Sequence, residues 1–164
     1  MVSFRQLLRR LKDHEVDFII IGGVAAHLLG SPMSTLDVNV CAPLTEENLT
    51  RILASIRDLH PMWRFRPDHK IPVDSLEQFR GFKNLYIDTD IGVLDVLGEL
   101  PGIGSFDAIR ERTEAVILDG TVYKVLDIDT LIAAKQVAGR EKDRIGIDHL
   151  REVKRQRETD PEKP

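Results

Sequence analysis

Residues 18–41, FIIIGGVAAHLLGSPMSTLDVNVC, constrain the fold of this chain more than any other stretch. Phe18 to Ile21 is a continuous apolar run rich in β-branched residues, the pattern of a buried central strand. Gly22 and Gly23 end it. A glycine pair lets backbone amides approach a ligand closely. The helix expected over residues 24–29 would aim its N-terminus at the same spot, which favours phosphate there. A loop of small residues then leads to a second strand, where period-2 alternation sends Leu36, Val38 and Val40 to one face and Asp37 and Asn39 to the other. Two oxygen-bearing side chains thus stand side by side above a buried sheet.

The remaining elements can be read around this centre. Phe4, Leu7, Leu8 and Leu11 fall at i, i+3, i+4 and i+7, predicting an amphipathic first helix that covers one side of the sheet. Thr45 is an N-cap with Glu46 and Glu47 set against the helix dipole, and Leu49, Ile52, Leu53 and Ile56 mark the buried stripe of a helix ending near His60-Pro61. Residues 60–72 carry three prolines and no clear period, so they read as a loop or irregular edge. There Trp63, Arg64, Phe65, Arg66, His69 and Lys70 mix rings and cations, a surface suited to stacking on bases. Because large rings dominate packing energetics, the reading that prevails makes Trp63 and Phe65 anchors that pin the loop on the core.

Residues 85–88 and 92–97 predict an antiparallel hairpin, with Asp95 on a strand otherwise built for burial. An unpaired buried carboxylate is costly, so Asp95 needs a basic side chain, a backbone cap or a metal. A turn at PGIGS, a short helix from Phe106, and a hairpin around Asp119-Gly120 follow. Asp127 can cap a helix that Gly139 ends, and a net basic last helix closes the chain.

At 164 residues, one domain is expected over 1–158, with a fraying tail over 159–164. The net charge of −4 disfavours bulk polyanion binding and leaves only a local basic patch for nucleic acid. Cys41 is the only cysteine, so it reads as packing and excludes an internal disulfide. No segment approaches the roughly 20 apolar residues of a membrane span, and the first residues lack a signal peptide's apolar core, so a cytoplasmic location is expected. The five histidines show no metal-ligand spacing, and His27, the only one near the proposed site, reads as a packing residue.

Asp37, Asn39 and Asp95 make a plausible cage for a hard divalent cation, Mg²⁺ or Mn²⁺, which would bring the phosphates of an NTP with it. In order along the chain, GGVAA, LLGS, STLDVNV, GVLDVLGEL and LIAAKQVAGREKD resemble the DNA polymerase β-like nucleotidyltransferases, close to small stand-alone members related to AbiE-type toxins of toxin-antitoxin systems. The resemblance spans about residues 17–150. It implies an α/β (α+β) nucleotidyltransferase fold, a mixed central sheet flanked by helices with C-terminal helices. It further implies that Gly22, Gly23 and Ser31 contact the nucleotide, that Asp37 and Asp95 ligate Mg²⁺, and that Lys135, Arg140 and Asp143 match the downstream nucleotide-binding motif, with Asp37, Asp95 and Lys135 as the catalytic set. Read by itself, Lys135 on an apolar helix either seeks a phosphate or carboxylate or snorkels off the core.

Two departures stand out. Asn39 occupies the family's second aspartate position, which removes a charge from the metal site, and Met33 stands where an arginine often precedes the first aspartate. The expected function is transfer of an NMP group from an NTP to an acceptor hydroxyl on tRNA, a protein or a small molecule, in a component of a toxin-antitoxin system with an antitoxin partner. The alternative is a catalytically degenerate nucleotide- or RNA-binding domain acting through a protein partner. A third, blander reading is a metal-free interaction module.

Overall fold

The computed structural model describes residues 3–160 and 162. Chain order begins with α1 (Phe4–Asp13), β1 (Ile19–Ile21), α2 (Gly22–Leu28), β2 (Val38–Cys41) and α3 (Glu46–Ile56). It continues through β3 (Met62–Trp63), β4 (Arg66–Lys70), β5 (Asn84–Thr89), β6 (Gly92–Leu97), β7 (Glu99–Leu100) and β8 (Gly104–Ser105). It ends with α4 (Phe106–Ile109), β9 (Thr113–Leu118), β10 (Thr121–Leu126), α5 (Ile128–Ala138) and α6 (Glu141–Thr159). Eight strands form one mixed sheet in the order β4-β3-β5-β6-β2-β1-β10-β9. The pairs β2/β6 and β1/β10 are parallel, and the other pairings in that sheet are antiparallel.

Local signals account for most of these boundaries. The hydroxyl oxygen of Ser3 accepts the Gln6 N–H to start α1, Thr45 accepts from Asn48 at α3, and Asp127 accepts from Thr130 at α5. Gly139 takes the left-handed conformation that ends α5. Asp119 and Gly120, with φ of 50° and 76°, make the tight turn joining β9 to β10. The core runs through β1, β2, β5 and β6, where Ile19, Ile20, Val38, Leu85, Ile87, Leu94 and Val96 are inaccessible. Leu7, Leu8 and Leu11 from α1 and Ile52, Leu53 and Ile56 from α3 join the same cluster. Cys41 is fully buried in it, and burial, with Glu99 adding, pushes its thiol up to about 11.

Several expectations fail in instructive ways. The glycine pair does not precede the helix; it is the first residues of α2. The second strand starts at Val38, and Leu36, expected to face inward with Val38 and Val40, is 63% exposed in the connection before it. Residues 60–72 hold two strands, β4 at one edge of the sheet and β3 next to it. Trp63 does pack there, stacked on Phe82 and tilted against Phe79. Phe65 is not an anchor, being 73% exposed. Of the expected tail, Thr159 closes α6 and Asp160 caps it, while Pro161, Lys163 and Pro164, like Met1 and Val2, lie outside the described residues. No helix among the described residues is long and apolar enough to cross a membrane.

Candidate active site

Strand pairing fixes where the acidic residues meet. In the parallel ladder Asn39 of β2 lies opposite Asp95 of β6, and across the antiparallel ladder Tyr86 of β5 is the partner of Asp95. Leu94 and Val96 enter the core, so Asp95 alternates to the other face of the sheet. Asp95 is nonetheless buried, at 6% exposure. Asp37 is half-exposed and sits just ahead of β2.

The buried carboxylate has a basic partner. Arg64, in the turn between β3 and β4, donates from Nη1 to both Asp95 oxygens at 2.5 and 2.6 Å. Its Nη2 lies 3.9 Å from Asp37 Oδ2, so one guanidinium answers both acids. The Arg64 N–H donates to the Tyr86 carbonyl at 3.0 Å, which ties this turn to β5. Asn39 adds only a long contact, Nδ2 to Asp95 Oδ2 at 3.5 Å. Burial pushes the Asp95 carboxyl up against the opposing pull of Arg64, and the hydrogen bond to Asp95 raises Arg64. Arg64 stood in the aromatic and basic segment of the sequence without a role at the acids. Its one legible signal was the requirement that a buried Asp95 find a cation.

The glycine pair is shaped by contact as well as by any ligand. Gly22 has φ of +64°, and a Cβ there would come within 3.2 Å of the Asn39 Cβ. At Gly23 a Cβ would meet Thr35 Oγ1 at 2.9 Å. Helix α2 therefore passes directly over the entry to β2, and only glycine allows that approach. Ser31 is buried in the following loop, where its Oγ accepts the Met33 N–H at 3.4 Å.

A second group of charges comes from α5 and α6. Asp143, 1% exposed, accepts Arg140 Nε at 2.7 Å and the Arg140 backbone N–H at 3.2 Å, closing the first turn of α6. Lys135 Nζ lies 3.8 Å from Asp143 Oδ1, which answers the question of its neighbour with a carboxylate. Burial pushes the Lys135 ammonium down and Asp143 opposes this. Burial also pushes Asp143 up, but Arg140 and Lys135 outweigh it and hold the carboxyl below its usual range. Gly146 was overlooked in the sequence: a Cβ there would stand 3.2 Å from Lys135 Nζ. A glycine inside a helix costs about 1 kcal/mol, and that cost was the available signal of a close approach.

Gly22, Gly23, Ser31, Asp37, Asn39, Asp95, Lys135, Arg140 and Asp143 all line one cleft of about 620 Å³, together with Arg64. That volume suits a small ligand. His27 does not line it; its ring stands edge-on to Phe4 at 5.9 Å. Among the described residues no group of three or more His, Cys, Asp or Glu side chains is placed to hold a metal ion. The donors present still fit Mg²⁺, which commonly takes one or two carboxylates and completes its shell with substrate phosphates and water. The Arg64 guanidinium supplies the positive charge between Asp37 and Asp95.

No family model and no curated protein sequence matches the chain. By structure, the architecture is a nucleotidyltransferase fold. The lincosamide antibiotic adenylyltransferase LnuA, with lincomycin bound, aligns with a TM-score of 0.63 at 11% identity, over 93% of this chain and 98% of its own. A candidate nucleotidyltransferase of Thermotoga maritima aligns with a TM-score of 0.55 at 17% identity, over 96% and 97%.

Proposed function

We propose that the chain is a nucleotidyltransferase that moves an NMP group from an NTP to an acceptor hydroxyl. The observation that carries this is the convergence of Asp37 and Asp95, from separate segments, on one cation in a cleft that also holds Lys135. Asp37 and Asp95 would hold Mg²⁺ or Mn²⁺, with Asn39 offering an amide oxygen. The ion, when bound, supplies charge neutralisation for the phosphates. Lys135, kept oriented by Asp143, meets the triphosphate as a point charge. Arg64 leaves Asp95 to donate its planar fork to phosphate oxygens. The acceptor oxygen bonds to the α-phosphorus while the bond to pyrophosphate breaks, and the hydroxyl proton passes to water.

An acceptor on tRNA, a protein or a small molecule fits this chemistry, and LnuA, a lincosamide antibiotic adenylyltransferase, illustrates the small-molecule alternative. A cytoplasmic toxin-antitoxin role with an antitoxin partner rests on the AbiE-type motifs alone. Labelled NTPs, Mg²⁺ or Mn²⁺ and each acceptor class test the proposal. Label transfer that disappears in Asp37→Ala is the expected result; no transfer by either wild type or Asn39→Asp rejects it. A second reading, a degenerate nucleotide- or RNA-binding domain acting through a partner, is favoured by one observation, the hold of Arg64 on Asp95 beside a neutral Asn39. It predicts NTP binding without turnover.

A further inference from the structure

We infer that the β4 edge of the sheet, linked to Asp95 through Arg64, is an acceptor groove for the end of a single-stranded nucleic acid, whose bases stack on Phe65 and Phe82. This rests on the transferase reading above, since it names what that reaction modifies. A second cavity, about 510 Å³, opens between β4 and the 3-10 turn at Leu76–Phe79. Its walls are aromatic: Trp63 and Phe82 stack with centroids 5.4 Å apart and planes 15° apart, and Phe65 stands edge-on to Tyr86 at 5.3 Å. Phe65 and Phe82 leave much of their faces in solvent, 73% and 46% exposed, although burial would stabilise each ring.

Two cations border these rings. Arg66 and Lys70 line the cavity together with the His69 imidazole on β4, a strand exposed along its whole length. The acid among them, Asp68, is paired with His69, and Arg66 Nη2 approaches the His69 ring at 3.0 Å. Rings that offer π-faces and cations that track a backbone are the two requirements of sequence-tolerant single-strand binding. A wholly apolar ligand would leave those cations without a role.

The groove also leads to the acids. Tyr86 lines both cavities, and it is the ladder partner of Asp95. Arg64, between Trp63 and Phe65 in sequence, has its guanidinium 5.5 Å from the Phe65 ring centroid while it holds Asp95. A strand lying on Phe65 would thus pass within reach of Arg64 and of the carboxylate that Arg64 holds.

Trp63 is the only tryptophan of the chain, so its fluorescence reports on the groove. An RNA octamer, added without NTP or divalent ion, should quench Trp63 with an affinity that falls as salt rises. Phe65→Ala should weaken binding about tenfold, and Lys70→Glu should weaken it while lowering the salt dependence. Calorimetry of NTP binding to the wild type, run in parallel, tests the transferase reading separately. Quenching without NTP binding removes the transferase and with it the acceptor role, leaving a nucleic-acid groove alone. NTP binding without quenching overturns the groove, as do unchanged affinities in both variants. Lincomycin competing with the octamer at lower concentration overturns the nucleic-acid assignment in favour of a small-molecule acceptor.

Discussion

Arg64 holds a carboxylate that the fold has buried, and that pairing makes the site sensitive to single substitutions. Arg64→Ala leaves Asp95 buried without its cation, which should cost about 3 kcal/mol in urea denaturation without divalent ions. Part of the loss should return on adding Mg²⁺, because a ligand that binds only the folded state stabilises it. Wild-type stability in this variant would mean that Asp95 is compensated elsewhere. Asn39→Asp places a third carboxylate against Asp95, so metal-free stability should fall while Mn²⁺ affinity measured by calorimetry rises about tenfold. Asp143 sets an acid limb. Its folded carboxyl ionises below the usual range, so the unfolded chain binds that proton more readily. The contribution is complete above about pH 4 and drains as pH falls further. Asp143→Asn should flatten this limb in denaturation curves recorded across pH 2 to 5.

At the scale of elements, the tightest constraint is the passage of α2 over the approach to β2. Gly23→Ala would gain about 1 kcal/mol of helix propensity and lose about 1–3 kcal/mol to the clash with Thr35, whose Cβ cannot move without shifting its backbone. The clash wins, and thermal denaturation should show a lowered midpoint; an unchanged midpoint would mean that the loop over residues 31–36 yields freely. The elements legible in the sequence are those with a buried face or a chemical punctuation mark. Thr45, Asp127, Gly139 and Asp119-Gly120 act locally and stood where their chemistry placed them. Strand β3 escaped because two residues are too few to show a period, and β4 because an edge strand exposed at every position has no alternation to detect. Leu36 misled for the converse reason, since the alternation extends one step beyond the strand that the ladder with β6 supports.

Across the whole molecule, the cleft gathers residues from β2, β6, α5, α6 and the β3–β4 turn. The acids were legible because each interrupts an apolar run, Asp95 on β6 itself and Asp37 just ahead of β2. Arg64 was not, because its proximity to Asp95 depends on β3 pairing with β5 and β5 with β6, a sequence of register choices that no local pattern encodes. If NTP and a divalent ion bridge these elements, binding at a hundred times the dissociation constant should add about 2.7 kcal/mol to global stability. A thermal-shift series with and without Mg²⁺ measures it; equal shifts in the two series would argue against a metal-dependent site.

The parallel pairing of Ile20 with Val125 also sets a clock on assembly. The β5–β6 and β9–β10 hairpins close across short turns, whereas β1 must wait for a strand from the far end of the chain. Closing so long a loop is slow. During refolding, strand signal should therefore appear before nucleotide affinity, and a chain emerging from the ribosome would stay inert until β10 and, after it, Lys135 and Asp143 have been made.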